Sequence, residues 1–188
     1  AHMEDNASAG ARGDAVTALN GEWTVEFWSA GASGTYPGSM ALTSDPGTGT
    51  IVSFGTPASE IQADNCLMSI YLSANTLTWR WERGAGTEVT VTTASFASLL
   101  LANRFNHFAV RKTSEGGGNY SVDVFVNGKY FENFPNVLNS DGGVNTSRFY
   151  VARDPEGTTG FTGVLDDIRI SKASRSDIDI LLTYFNSC

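Results

Sequence analysis

Carboxylates dominate the chemistry-bearing side chains of this 188-residue chain: 20 Asp and Glu stand against 12 Lys and Arg, a formal charge of −8. Two carboxyls about 5 to 10 Å apart can cleave a glycosidic bond, and converging ones can hold a hard cation such as calcium. Acids that stand close together include Asp166-Asp167 and the Asp154-Pro-Glu156 run, while Asp123 and Asp141 are single. Neighbouring residues of a strand point to opposite faces, so Asp166 and Asp167 cannot flank one bond. One of them is then expected to point inward, where a carboxylate needs a cation or several donor groups.

Histidine and cysteine offer less. Apart from His2, in an opening Ala1-His2-Met3 that reads as a cloning remnant on a piece of a longer protein, the sequence holds His107 alone. Multi-histidine zinc sites are excluded, and a Ser-His-Asp or Cys-His arrangement would have to run through that one residue. Cys66 and Cys188 fit either one disulfide or two thiols, and both readings stay open. The acidic excess argues against nucleic acid or an anionic membrane surface as partner, and no apolar run approaches the ~20 residues that span a bilayer.

Sugar recognition requires a flat aromatic against the apolar face of a pyranose and polar side chains for its hydroxyls. In Leu77-Thr-Trp79-Arg-Trp81-Glu82 the two tryptophans share a face and read as core, which places Arg80 and Glu82 on an opposite, polar face able to meet a ligand. Tyr36, Tyr130 and Tyr150, near loops or strand ends, are further ligand-binding candidates.

Strands must position these residues. Residues 1–14 are small and polar, expected to form a loose arm or the lead-in to an edge strand, and 15–188 make one domain. The arm contains Arg12-Gly13-Asp14, an integrin-type tripeptide too short to carry a function by itself. From Trp23 the residues alternate, with Trp23, Val25 and Phe27 on one face and Thr24, Glu26 and Trp28 on the other. Similar runs recur at 50–54, 66–72, 76–82, 88–92, 105–112, 121–127, 148–153 and 161–170, separated by Gly-rich and Asn-rich turns. Asn127-Gly128 suits a type I′ hairpin turn. Only Ser174 to Phe185 reads as a helix, capped by Ser174 with Asp177 three residues on. The sum is an all-β, two-sheet antiparallel sandwich with one short C-terminal helix.

The order of Trp23-Thr-Val-Glu-Phe-Trp28, Thr50-Ile-Val-Ser-Phe-Gly55, Asn106-His-Phe-Ala-Val110, Val122-Asp-Val-Phe-Val-Asn-Gly-Lys129 and Phe161-Thr-Gly-Val-Leu-Asp-Asp-Ile-Arg-Ile170 resembles the laminin-G-like jelly roll of the concanavalin A-like lectin/glucanase superfamily. One departure is Phe105, where that family usually has Trp. The resemblance implies a non-catalytic carbohydrate-binding or adhesion module of a larger extracellular, cell-surface or virion-surface protein, with a glycan or a cell-surface protein as partner. A structural or protein-interaction domain of a virion, phage tail fibre or surface layer is the alternative. The Glu-x-Asp-x-x-Glu run of laminarinase-like relatives has no counterpart, which makes a glycoside hydrolase the weaker reading. His107 takes a structural role in that family. The resemblance also implies calcium, structural or ligand-bridging. Asp166 would tie the last strand to the N-terminal segment, either through calcium with a carbonyl or acid near Asp14 or Glu22 or through a backbone clasp without metal, and Asp141 and Asp154 would supply a rim site unless their loops are ordinary solvated turns.

Overall fold

The computed structural model describes residues 12–14, 21–34, 39–55, 66–82, 88–138, 148–154 and 160–186. Strands labelled in chain order pair antiparallel into two main sheets. The six-stranded sheet runs, edge to edge, through β1 (Arg12–Asp14), β12 (Arg148–Val151), β5 (Gly49–Gly55), β6 (Cys66–Ser73), β7 (Thr76–Glu82) and β8 (Glu88–Thr92). The five-stranded sheet runs through β11 (Lys129–Leu138), β10 (Asn119–Val126), β9 (Asn106–Gly116), β2 (Trp23–Ala30) and β13 (Val164–Ser171). A small ribbon joins β3 (Ala32–Ser33) to β4 (Ala41–Leu42), and one helix, α1 (Asp177–Asn186), ends the described chain. This is the expected jelly-roll sandwich, and the opening segment contributes an edge strand, with Arg12-Gly13-Asp14 paired to Arg148–Tyr150.

Alternation sorts the residues as the pattern implies. Trp23, Val25, Phe27, Phe108 and Val110 of one sheet meet Val52, Ile70, Trp79 and Trp81 of the other, all fully buried. Trp79 stacks on Trp81 with ring centroids 5.9 Å apart, and Phe27 on Phe108 at 5.4 Å. Such aromatics bury large areas and hold the layers together. Trp28, by contrast, lies on the outer side of β2, where the Tyr184 ring of α1 stacks on it at 5.6 Å.

Two local readings change. Lys129–Leu138 is a strand that its sequence hides, because Asn133, Pro135 and Asn136 interrupt the alternation. Proline is tolerated there because β11 is an edge strand, where a missing ladder N–H is harmless. The helix cap is Ser176 rather than Ser174: the Asp179 amide donates to Ser176 Oγ (3.2 Å), whose hydroxyl donates back to Asp179 Oδ2 (2.6 Å). Ser174 instead shares a hydrogen bond of 2.7 Å with Thr113 of β9.

Candidate functional site

Register fixes the first wall of a cavity at one end of the five-stranded sheet. Trp28 lies between His107 on β9 and Asp166 on β13. Past Asp166 the ladder slips: Arg169 is the next residue in register, opposite Glu26, so Asp167 and Ile168 together oppose Phe27. This bulge holds Asp167 at a φ of 47°, and the Asp167 amide donates to Asp166 Oδ1 at 2.8 Å. Alternation fails at a bulge, which corrects the expectation that one aspartate points inward: both are exposed. Asp167 is ion-paired with Arg169.

The second wall is the loop before β9. Buried Asn106 clamps it, accepting from the Leu101 amide (2.7 Å) and donating to the carbonyls of Leu101 (3.2 Å) and Arg104 (3.3 Å). Asn127 of the hairpin turn supports Asn106 from behind, donating to Asn106 Oδ1 at 2.9 Å while accepting from the His107 amide. Asn127 and Gly128 both take positive φ, as the type I′ turn requires. So held, the loop presents Leu101, Asn103, Arg104 and Phe105.

Between these walls is a cavity of about 460 Å³, lined by Trp28, Leu42, Leu101, Asn103, Arg104, Phe105, Asp166, Asp167 and Tyr184. That volume is ordinary for a small-ligand site, and an apolar wall with a few convergent polar groups is the usual chemistry of one. Among the described residues six non-glycine residues take positive φ, and two of them, Asn103 and Asp167, line it; unusual backbone gathers at functional sites.

Behind the Trp28–Tyr184 wall lies a buried charge network that docks α1. Arg175 ion-pairs with Glu26, and the Glu26 carboxylate stands 3.5 Å from His107 Nε2. Burial pushes the Glu26 carboxyl up, but hydrogen bonds and charge from His107 and Arg175 outweigh it and hold it below its ordinary value. Arg111 bridges Asp123 (2.8 Å) to Asp177 (2.6 Å) and donates to the Arg175 carbonyl (2.9 Å). His107 is fully buried, its ring against both Trp28 and Tyr184 and its Nε2 toward the Glu26 carboxylate.

Of the metal- and ligand-binding candidates read from sequence that lie among the described residues, Asp166 lines this cavity, beside its neighbour Asp167. Arg80 is half-buried on the outer face of the six-stranded sheet, with Ser69 and Thr90 in register. Tyr130 is 53% exposed, its ring edge-on to Phe125, and Tyr150 is 3% exposed with Arg153 over its ring. Tyr36 and Asp141 lie outside the described residues, as do the side chains of Glu82, Asp14 and Cys66 and all of Cys188. Glu22 Oε1 accepts from the Ser114 amide at 3.0 Å, and the Asp154 carbonyl accepts from Arg153 Nε. Among the described residues no three His, Cys, Asp or Glu side chains gather where they could hold a metal ion, and Asp141 and the Asp14 side chain of the expected calcium sites lie outside those residues. Asp14 belongs to the edge of one sheet and Asp166 to the edge strand of the other. The lining residues Leu101, Asn103, Arg104 and Tyr184 went unread; their one sequence signal is the apolar run Leu99-Leu-Leu101 outside any alternating pattern.

Two antiparallel sheets with a ligand-sized pocket at one end define a lectin-type sandwich. The chain belongs to the concanavalin A-like lectin/glucanases superfamily, whose laminin G profile matches residues 5–181. No curated protein matches it. Among solved structures it is similar to the binding domain of botulinum neurotoxin serotype G, with a TM-score of 0.64 at 11% identity, covering 99% of this chain and 42% of that one. It is also similar to the botulinum neurotoxin DC binding domain in complex with rat synaptotagmin II, with a TM-score of 0.55 at 13% identity, covering 89% and 36%. The same domain in complex with SialylT gives 0.52 at 12% identity, covering 88% and 35%. The likeness is one of fold, and the chain spans well under half of each neighbour.

Proposed function

We propose that the chain is a non-catalytic carbohydrate-binding module of a larger extracellular or surface protein, and that it binds at the rim cavity. The observation carrying this reading is the cavity's make-up: a Trp28–Tyr184 aromatic wall beside Asn103, Arg104 and Asp166, on a lectin-type sandwich whose structural neighbours are binding domains. Aromatic rings cover the C–H face of a sugar, and amide, guanidinium and carboxylate groups meet its hydroxyls. Asp167 is tied to Arg169, and we read the two neighbouring carboxylates as ligand-binding groups rather than as an acid and base pair.

The test is a glycan array probed with the wild-type chain and with Leu101→Trp, which fills the cavity mouth. Binding by the first and loss in the second supports the reading; silence across the array in both defeats it. Repeating the array with EDTA decides the role of calcium, since loss on chelation would move the ligand to the acid-bearing loops at Asp141 and Asp154. A specific observation favours a second reading, a protein-interaction domain: Ile178, Leu182 and Phe185 form an apolar stripe on α1, 58%, 48% and 62% exposed. Stable self-association by light scattering without sugar affinity, reversed by Phe185→Ser, would favour it.

A further inference from the structure

We propose that the rim cavity selects neutral sugars over acidic ones, an inference that rests on the carbohydrate-binding reading of that site. Its charged lining residues are Arg104, Asp166 and Asp167, and Arg169 already neutralises Asp167. Counting that partner, two cations meet two carboxylates and the site sums to zero. Each sign remains open for hydrogen bonding. Arg104 is exposed with no ion-pair partner among the described residues, and Asp166 is exposed with one oxygen engaged by the Asp167 amide.

A guanidinium donor and a carboxylate acceptor in one small cavity suit adjacent hydroxyls, which both donate and accept. A sugar carboxylate or sulfate drawn to Arg104 would share the cavity with Asp166, and like charges so close repel. It would also approach a chain of net charge −8. A neutral ring meets neither penalty, and the Tyr184 and Phe105 rings, both half-buried, offer it apolar contact.

Matched probes test this: lactose against sialyllactose, and chitobiose against a heparin-derived disaccharide, titrated at low and high salt. The expected result is binding of the neutral member at least about tenfold tighter than its acidic partner, nearly independent of salt, and weakened about tenfold by Arg104→Ala and by Asp166→Asn. Both positions are exposed, and thermal melts confirm that the variants fold. Tighter, salt-sensitive binding of the acidic members overturns the selectivity while leaving sugar binding intact. Neutral-sugar binding unchanged in both variants overturns the assignment of Arg104 and Asp166. Failure of every probe on the array and in titration is failure of the carbohydrate reading itself.

Discussion

The two sheets are alike inside and unlike outside. Both turn aromatic and aliphatic rows inward to one shared core. Outside, the five-stranded sheet is covered: Thr24 and Glu26 are almost fully buried beneath the segment leading into α1, held by Arg175 and Arg111. The outer face of β7 and β8 instead carries hydroxyls, with half-buried Thr78 and exposed Thr92 sharing a solvent-exposed hydrogen bond of 2.9 Å. Polar residues on a strand's outer face therefore have two fates, set by whether a later segment returns to cover them. Covered, they become a network in which each partner matters, because a buried charge left alone is costly. Uncovered, each hydroxyl exchanges a protein partner for water at little cost.

The largest effect that would sharpen this contrast is expected from Glu26→Ala. It leaves the Arg175 guanidinium and His107 without their shared carboxylate under α1, and about 3 kcal/mol of stability should go, read as a lower urea midpoint with an unchanged slope. Glu26→Gln, which keeps the shape and one acceptor, should lose less. A Glu26→Ala loss no larger than that of a surface threonine variant would erase the distinction between the faces.

Acid should act on the covered face next. The folded Glu26 carboxyl titrates below its ordinary value of 4.5, so the unfolded chain takes up its proton first as pH falls. The contribution of ionised Glu26 is complete above the unfolded value and is lost as pH drops through the folded one. Melting temperature should fall below about pH 4.5, less steeply in Glu26→Gln than in wild type. Amide exchange of α1 under the same titration should rise ahead of exchange in β7, which is anchored in the core by Trp79 and Trp81.

How much of this was legible in the sequence follows the same division. Trp79 and Trp81 could be placed in the core because period-two alternation depends only on local geometry. The strand order could be placed because the ordered motifs carry it. Burial of Glu26 could not be read, since it depends on Arg175 returning from 149 residues away. The rim cavity failed for a related reason: Trp28, Arg104, Asp166 and Tyr184 come from four segments, and a bulge with no strong sequence mark turned both aspartates outward.

The smallest effects belong to the open face, and they decide between it and the rim. Thr92→Ala removes one member of an exposed hydroxyl pair, and water can satisfy the Thr78 hydroxyl left behind, so stability should change by no more than about 0.5 kcal/mol. Arg80→Ala lies on that same outer face, away from the residues that line the cavity, and should leave glycan affinity within about twofold of wild type. Urea unfolding measures the first and isothermal titration with a neutral sugar the second. A tenfold loss in Arg80→Ala with unchanged melting would place the ligand on the six-stranded sheet, where hydroxyls and a guanidinium lie in register across β6, β7 and β8, and would leave the cavity as a structural consequence of the bulge.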